Sequence, residues 1–444
     1  MTDASRTRSL WKTILIVSSG NFLEMYDFMV YGYYAVAIAK SYFPAADLYA
    51  STMASFAAFG AGFLMRPVGA IVLGAFIDRH GRRNGLIITL ALMALGTLTI
   101  AATPSYARIG VAAPMIVLLG RLLQGLSAGV EVGGVSVYLS EIATPRNRGF
   151  VVSWQSASQQ ASVIFAAAIG VALSAQLSPA QMGAWGWRVP FVLGCALIPF
   201  LLFIRRRLEE TPDFLAVPER PTIGAIAASV GRNGGVIALG ACMATLTTVG
   251  FYLITAYTPT YGSAVLKLAT TDAFLVTAAV GLSNLVWLPI SGALSDRIGR
   301  KPVLIGAAVT ALVTGYPILR WLTADPSFTR LLAAELWLSA VYAAYNGTMV
   351  AFLAEAMPRR IRTTGFSLAY SLATAIFGGF TPLVCTWLIH RTGDKAAPGY
   401  WLAAASVLGL MGAIGLRTHA DTRAPDDARA ASGRPDLPVA ANAP

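Results

Sequence analysis

The sequence is poor in charge and in histidine for its length. Only 12% of its 444 residues are charged, whereas a soluble domain carries about a quarter. Its three histidines, His80, His390 and His419, lie in predicted loops or in the C-terminal tail. The apolar interior therefore has no imidazole to carry a proton or to bind a metal. The three cysteines all fall inside apolar segments, which argues against a disulfide framework.

The patterns that mark enzymes and pumps are missing as well. The sequence has no cluster of metal ligands, no nucleophile placed beside a base and no phosphate-binding loop. The glycine-rich run "GLSAGVEVGG" lacks the preceding strand that a nucleotide site needs. The first apolar run carries acids and is too long for a cleavable signal peptide. We therefore expect neither an enzyme nor an ATP-driven transporter, and no cofactor apart from a coupling ion.

Long apolar segments dominate what is present. Hydrophobic residues make up 56% of the chain, and its mean hydropathy is +0.63. About twelve segments approach the ~20 residues with which a helix spans a bilayer. Only helices satisfy their own backbone groups in lipid over such uniformly apolar stretches. The sequence thus predicts an all-α membrane protein with twelve transmembrane helices, near residues 12–38, 52–76, 86–103, 112–140, 150–176, 188–204, 235–260, 272–294, 302–321, 329–356, 364–389 and 399–417.

The net charge of +12 is distributed as a topology signal. With both termini in the cytoplasm, 23 of the 33 Lys and Arg fall on the inner side and 8 on the outer side. This asymmetry is the positive-inside pattern of membrane proteins, so the basic balance does not indicate a nucleic-acid partner. We expect a monomer in a bacterial cytoplasmic (inner) membrane, with the lipid bilayer as its surroundings.

An internal repeat divides the chain. The loop "GAFIDRHGRR" recurs as "GALSDRIGRK" after 218 residues, and "SEIATPRNRG" has a counterpart in "AEAMPRRIRTTG". Two matched pairs at matched helix ends predict two homologous six-helix halves with a shared site between them. The predicted divisions are an N-terminal half, a cytoplasmic linker, a C-terminal half and a disordered tail, at residues 1–204, 205–232, 233–417 and 418–444.

These loops resemble the hallmark of the major facilitator superfamily. The stretches "GNFLEMYDF", "GFLMRPVGAIVLGAFIDRHGRR", "WGWRVPF" and "LEETPDF" are similar to its metabolite:proton symporter family. Within that family, "SWQSASQQ", "TAYTPTYG" and "YNGTMVA" most resemble citrate–proton and tricarballylate symporters. The resemblance spans nearly the whole of residues 11–417 and implies the major facilitator fold and uptake of a tricarboxylate.

Five charged residues lie at bilayer depth. The stretch "SGNFLEMYDFMVYGYYA" places Glu24 and Asp27 in the middle of the first helix, three residues apart and therefore expected on one face. Arg66 lies deep in the second helix, and Glu131 and Arg121 lie in the fourth. Each charge costs about 2.5–3.5 kcal/mol at the membrane centre and needs a partner or a cavity. The C-terminal half offers mostly neutral polar groups at this depth.

Two interpretations of these charges remain open. They could neutralise one another and only hold helices together. Alternatively, Arg66 and Arg121 bind substrate carboxylates, since a guanidinium donates two parallel hydrogen bonds, and Glu24, Asp27 and Glu131 carry the coupling proton. The predicted additional substrate contacts are polar side chains on the first, fifth, seventh, eighth and tenth helices: Asn21, Tyr26, Tyr31, Gln155, Gln159, Tyr257, Tyr261, Asn284, Tyr342 and Asn346.

The repeated loops carry a separate prediction. Acids there can bind arginines and helix ends, and so close the cytoplasmic face while the carrier opens outward. The alternative is that the arginines only set topology. The predicted gating residues are Asp78, Arg79, Gly81, Arg82, Arg83, Glu141 and Arg148 in the first half, and Asp296, Arg297, Gly299, Arg300, Lys301, Glu355 and Arg362 in the second.

The sequence thus predicts a proton-coupled symporter that takes up citrate or a related tricarboxylate by alternating access. Transport of another organic acid, such as a dicarboxylate or tricarballylate, or of a zwitterion, with Na⁺ as a possible coupling ion, is the first alternative. A non-transporting sensor is disfavoured by the acids within the membrane. A drug–proton exporter suits paired arginines poorly, because they favour anions.

Overall fold

The computed structural model describes Trp11, Ile14 and residues 21–80, 82–129, 131–206, 231–358 and 362–417. Most of the predicted linker and the whole predicted tail lie outside these residues.

Helices account for nearly all of the described chain, and we number the main ones α1 to α12. Three of them are interrupted: α1 by Tyr34, α4 between Ala128 and Glu131, and α11 by a π-helical turn. Their bounds are α1 Asn21–Tyr33 and Ala35–Tyr42, α2 Leu48–His80, α3 Arg82–Ala102, α4 Ala112–Ala128 and Glu131–Ile142, α5 Arg148–Gln176, α6 Val189–Arg206, α7 Gly234–Ile254, α8 Thr270–Ile298, α9 Arg300–Ala324, α10 Phe328–Ala356, α11 Arg362–Ala373, Thr374–Gly378 and Thr381–Thr392, and α12 Pro398–Gly415.

Several short helices complete the connections. One turn of helix, Thr258–Thr260, and a π-helix, Tyr261–Val265, follow α7. The other short helices are Tyr106–Ile109, Pro179–Ala184 and Gly186–Arg188.

Among the described residues, nine helices are long and apolar enough to cross a membrane. Shorter apolar helices at Ile87–Ala102 and Gly186–Leu197 correspond to α3 and α6. Together with the two pieces of α1, they account for the twelve predicted segments.

The outer surface of α2 shows why this bundle belongs in lipid. Leu64, Val68, Ile71 and Val72 recur at helical spacing on one face and are each 43–57% exposed. The opposite face of the same helix buries Arg66, which is 1% exposed. Apolar groups therefore face outward and a charge faces inward, as expected for a helix whose solvent is hydrocarbon.

The repeat predicted from the loops is visible in the backbone. α2 ends at His80 and α3 begins at Arg82, and 218 residues later α8 ends at Ile298 and α9 begins at Arg300. In the first half, α6 packs against α1 and α3, and the matched helix α12 in the second half packs against α7 and α9.

Contacts between the two halves are carried mainly by α5 on α8 and by α2 on α11. Helices α5 and α8 run antiparallel and touch backbone to backbone: a Cβ on Gly292 would lie within van der Waals overlap of the Gly149 carbonyl. Small residues permit this close approach. The long α5–α8 seam lies beside the polar groups described next.

Candidate functional site

Four charged side chains are buried together in the first half. Glu24, Asp27, Arg66 and Arg121 are each at most 3% exposed. They come from α1, α2 and α4, and the crossing of α2 with α4 brings the two arginines close. A Cβ on Gly125 would overlap the carbonyl group of Gly62, so only glycine allows these two backbones to meet.

Arg66 has a carboxylate partner. Its Nη2 donates to Oε1 of Glu24 at 2.9 Å. Its guanidinium carbon also lies 4.8 Å from the ring centroids of both Phe28 and Phe63. A buried ion pair between aromatic rings neutralises both charges without water. Arg66 Nε has no hydrogen-bond partner among the described residues, so the group keeps one donor available.

Among the described residues, no carboxylate forms an ion pair with Arg121. It is 0% exposed, and its guanidinium carbon lies 4.5–5.0 Å from the rings of Phe28, Tyr31 and Phe59. Nη1 donates to Oε1 of Gln124 at 2.6 Å. Within the described part of the chain, Nε and Nη2 donate to nothing. A buried guanidinium with free donors is an incomplete arrangement that an anion would complete.

Asp27 lies on the other side of Gln124. Its Oδ2 accepts from the Thr97 hydroxyl and, at 3.5 Å, from Nε2 of Gln124, which also donates to Thr97 at 3.1 Å. Its Oδ1 has no hydrogen-bond partner among the described residues. Gln124 therefore links the carboxylate of Asp27 to the guanidinium of Arg121 through a single amide.

Glu24 and Asp27, which the sequence predicts on one face of α1, have different partners. Glu24 contacts Arg66 on α2, whereas Asp27 contacts Thr97 on α3 and Gln124 on α4. Three residues turn a helix by about 300°, so the two side chains point about 60° apart, enough to reach different neighbours. The two acids thus have separate partners.

The second half reaches this site through two tyrosines. The ring of Tyr252 on α7 lies 5.2 Å from that of Phe63. Tyr252, and Tyr370 on α11, both interact electrostatically with Arg66 and Glu24. The arginines therefore lie at the boundary between the halves. Sequence reasoning missed both tyrosines, although "FYLITAY" and "FSLAYS" place an aromatic hydroxyl at similar depth.

Polar groups on α5 line the same boundary. Gln155 and Gln159 are buried, and Nε2 of each has no hydrogen-bond partner within the described residues. The neighbouring Gln160 accepts from Nδ2 of Asn284 on α8 at 3.3 Å, and Asn284 accepts from Ser339 on α10 at 2.8 Å. Gln160 was not predicted, because its position in the polar stretch does not show which side chain crosses to α8.

Several predicted contacts have partners within the protein. Tyr26 donates to the carbonyl of Pro190 at 2.7 Å, and Tyr261 donates to that of Lys395 at 2.8 Å. Tyr31 donates to the Ser55 carbonyl at 3.3 Å while its ring lies against Arg121. Of the remaining predicted contacts, Tyr257 accepts from Thr386 and Tyr342 accepts from Asn346. The side chain of Asn21, and that of the predicted proton carrier Glu131, lie outside the described residues.

Ion pairs close one end of the bundle, which we call the basic end. Asp296 accepts from the backbone N–H groups of Gly149 and Phe150, at 2.8 and 3.0 Å, in the first turn of α5. A carboxylate is stabilised there by the exposed N–H groups and the helix dipole. Arg300 binds Asp296 at 2.8 Å and Glu355 at 3.2 Å. This Asp296 cluster joins the second half to α5 of the first.

The other predicted gating residues are less completely described. Arg148 pairs with Glu355 at 3.5 Å. Gly299 has a φ of 95°, which favours glycine in the turn. Glu141 and Arg297 are exposed, and Arg362 and Lys301 are half-buried; the side chains of Asp78, Arg79, Arg82 and Arg83, and Gly81 altogether, lie outside the described residues.

The opposite end is closed by different groups. The rings of Tyr49 on α2 and His390 on α11 stack with centroids 3.8 Å apart. Ser174 on α5 lies 3.0 Å from Thr271 on α8. With contacts between the halves at both ends, the charged cluster is enclosed.

Comparison with known proteins identifies the family. A family model for the Major Facilitator Superfamily matches residues 271–441, and one for sugar and other transporters matches residues 13–228. The citrate-proton symporter of Salmonella typhi is 56% identical over 409 residues, covering 92% of this chain and 94% of that protein. The chain belongs to the major facilitator superfamily.

Further relatives agree with this assignment. The citrate-proton symporter of Klebsiella pneumoniae is 54% identical over 90% of each chain. The glycine betaine/proline/ectoine/pipecolic acid transporter OusA of Dickeya dadantii is 32% identical, covering 93% of this chain and 84% of that protein.

The fold is also that of solved transporters. The crystal structure of a D-xylose-proton symporter superimposes with a TM-score of 0.71 at 20% identity, covering 91% of this chain and 96% of the other. At this identity the match concerns the fold alone. The predicted all-α, major facilitator fold is confirmed, and the protein is a multi-pass membrane transporter and not an enzyme.

Proposed function

We propose that this transporter takes up citrate or a closely related tricarboxylate together with protons. The observation that carries the proposal is the buried guanidinium of Arg121, which keeps unused donors between the two halves. The two citrate-proton symporters, at 56% and 54% identity over at least 90% of this chain, supply the substrate class.

In this proposal Arg121 and Arg66 hold the anion. Substrate carboxylates would bind Nε and Nη2 of Arg121, and Nε of Arg66, all of which lack hydrogen-bond partners among the described residues. The free amide donors of Gln155 and Gln159 suit a second carboxylate or the hydroxyl of citrate. Two buried guanidiniums with unused donors favour a polyanion over a zwitterion.

Asp27 would carry the proton, with Gln124 as the link. When a substrate carboxylate draws Arg121 away, the carbonyl oxygen of Gln124 loses its donor. The amide can then turn this oxygen towards Asp27 and accept a hydrogen bond from the protonated carboxyl, which stabilises the proton on Asp27. Binding of the anion and of the proton would therefore favour each other, as thermodynamic linkage requires of coupled sites. Glu24, which is neutralised by Arg66, would titrate only when substrate separates that pair; Glu131 stays a predicted proton carrier.

Proton coupling answers an electrostatic need. Moving a trianion inward against an inside-negative potential costs about 2.3 kcal/mol of free energy per charge for each 100 mV. Protons carried by the substrate and by the protein cancel this cost. We propose H⁺ as the coupling ion, since both citrate symporters similar to this chain are proton symporters and buried carboxylates with hydrogen-bonding neighbours line the site.

The transport cycle would be a rocking of residues 1–204 against residues 233–417, connected by residues 205–232. We place the basic end in the cytoplasm of a bacterial inner membrane, on the positive-inside asymmetry of the chain. The Asp296 cluster would then close the cytoplasmic side, and the Tyr49–His390 stack the external side. A monomer contains both halves and suffices for this cycle.

Uptake into proteoliposomes tests the proposal. Purified transporter in sodium-free vesicles with an imposed inward proton gradient should concentrate labelled citrate, and a protonophore should abolish the accumulation. Excess tricarballylate should compete. Accumulation that persists with the protonophore, or that requires Na⁺, would contradict proton coupling, and absence of any citrate uptake would contradict the substrate.

A further inference from the structure

A buried acid in the second half takes no part in the site described above. Glu335 lies on α10 and is 3% exposed. Its Oε1 accepts from the Thr258 hydroxyl at 3.1 Å. Its Oε2 has no hydrogen-bond partner among the described residues. Glu335 is thus a carboxyl group enclosed in protein with one oxygen unsatisfied.

Glu335 differs from the other buried acids in lacking a cation. Glu24 binds Arg66, and Asp27 is linked through Gln124 to Arg121. Within the described residues, no Lys, Arg or His forms an ion pair with Glu335.

The groups that face Glu335 do not replace a cation. Tyr261, which interacts electrostatically with Glu335, uses its hydroxyl on the Lys395 carbonyl. The cations at this end of the bundle lie elsewhere: Arg330 on α10 pairs with Asp325, Arg320 on α9 pairs with Asp394, and Lys267 and Lys395 are exposed. Asp272 in the first turn of α8 is an acid and adds no positive charge.

Thr258 connects Glu335 to an irregular segment of the chain. α7 ends at Ile254, and the amide of Tyr257 bonds back five residues to Tyr252 before the single turn Thr258–Thr260 begins. Such breaks in a membrane helix occur where the backbone moves or lines a cavity. Glu335 is therefore hydrogen-bonded to the segment that directly follows the end of α7.

The same segment touches the first half. A Cβ on Gly32 of α1 would lie 3.0 Å from that of Ala256, and the Tyr257 ring lies 6.1 Å from that of Phe56 on α2. A continuous chain of contacts thus runs from Glu335 through Thr258 to the boundary between the halves, near the end closed by Tyr49 and His390.

The internal repeat gives an independent reason to single out this position. Glu335 precedes Glu355 by twenty residues, as Arg121 precedes Glu141 by twenty residues on the matched helix α4. The position occupied by the free guanidinium in one half is thus occupied by a carboxyl in the other.

We propose that Glu335 is a second proton-binding site. Its protonation controls whether the irregular segment after α7, residues 255–260, closes against α1 and α2 at the external end. An ionised carboxylate without a cation is expensive to enclose, so the closed arrangement holds the neutral acid. Release of the proton needs water, and water reaches Glu335 only when the segment moves away from α1 and α2. The identity of the ion as H⁺ rests on the proposed function; the closure itself does not depend on which anion is carried.

Infrared spectroscopy tests the protonation directly. Purified transporter without substrate should show the carbonyl stretch of a buried neutral carboxyl, shifted in D₂O. Glu335→Gln should remove this component, and Asp27→Asn should leave it in place. An unchanged spectrum in Glu335→Gln would overturn the proposal.

Spin-label distances test the closure. Labels at Asp47→Cys and Arg391→Cys, both exposed residues beside the Tyr49–His390 stack, would be introduced after replacing the native cysteines. Without substrate, we expect the open population to grow as pH rises. Glu335→Gln should keep the short distance at every pH, whereas Glu335→Asp should retain the pH response.

Two outcomes would overturn the proposal: a distance independent of pH in the parent protein, or a parent-like response in Glu335→Gln. A size-exclusion profile matching the parent checks folding of each variant. Because neither experiment contains citrate, failure of the citrate proposal would leave both results interpretable. Conversely, normal proton-driven citrate uptake with no pH response at this end would reject only the role of Glu335.

Discussion

The two halves of this transporter share a fold but place different chemistry at matched positions. Arg66 stands twelve residues before Asp78, and Asn284 stands twelve residues before Asp296. Arg66 binds a carboxylate, whereas Asn284 bonds to neutral Gln160 and Ser339. The first half therefore holds the guanidiniums that suit an anion. The described part of the second half provides neutral contacts and Glu335, a buried acid without a cation. The two halves thus have the same helix arrangement but different side-chain chemistry at matched positions.

The largest expected effect comes from removing the free guanidinium. Arg121→Gln should lower kcat/KM for citrate uptake by about 100-fold, since losing a charged partner of a buried carboxylate costs about 2–5 kcal/mol. Arg320→Gln, at a side chain that is 68% exposed, is the matched control and should transport normally. Equal activity of the two variants would place the anion elsewhere.

The next effect separates transport from coupling. Asp27→Asn should lose accumulation of citrate driven by a proton gradient and keep citrate counterflow, because an amide cannot load and release a proton. Counterflow and gradient-driven uptake are measured in the same proteoliposomes. If gradient-driven uptake survives, the coupling proton resides on another group.

Replacing Gln124, which links Asp27 to Arg121, should lower gradient-driven citrate uptake by about tenfold. Gln124→Leu removes a buried hydrogen bond to a charged group, worth about 1.5–3 kcal/mol. We expect gradient-driven uptake to fall by about tenfold while counterflow falls less. Gln155→Leu, an amide outside the Asp27 network, should reduce both rates in parallel, so the ratio of the two rates separates a coupling residue from a binding residue.

The ion pairs of the basic end should have a smaller effect. Asp296→Asn weakens the attachment of the second half to α5, which favours opening at that end by about 1–3 kcal/mol. Accessibility of a cysteine introduced at Ser153, which is buried on α5, should increase. No increase in labelling would show that the cluster does not hold this end closed.

The smallest effect concerns a tyrosine predicted to contact substrate. Tyr26→Phe removes the bond to the Pro190 carbonyl and should cost about 1 kcal/mol of stability with the KM for citrate unchanged. Thermal unfolding and uptake kinetics check both expectations. A raised KM for citrate in Tyr26→Phe would indicate that the Tyr26 hydroxyl contacts the substrate.

Some of this arrangement follows from sequence because charge in an apolar helix is conspicuous. Glu24, Asp27, Arg66 and Arg121 were predicted by depth alone, and all four are buried in the first half. The helix count and the repeat followed from apolar length and from matched loops.

The partners of those charges could not be predicted. Whether Glu24 or Asp27 meets Arg66 depends on the rotation of α1 about its axis, which a sequence does not give. Gln124 and Thr97 are neutral residues whose types also occur in ordinary helix packing, so nothing in the sequence marked them as the link. Tyr252 and Tyr370 reach the site only through contacts between the halves.

Proton uptake on citrate binding tests the central claim most directly. Titration calorimetry of purified transporter, in buffers of different ionisation enthalpy, counts the protons bound with each citrate. We predict that Asp27→Asn binds citrate with one proton fewer than the parent protein, and that Arg121→Gln binds citrate at least tenfold more weakly, a loss of about 1.4 kcal/mol or more. An unchanged proton count in Asp27→Asn, together with undiminished affinity in Arg121→Gln, would contradict the account.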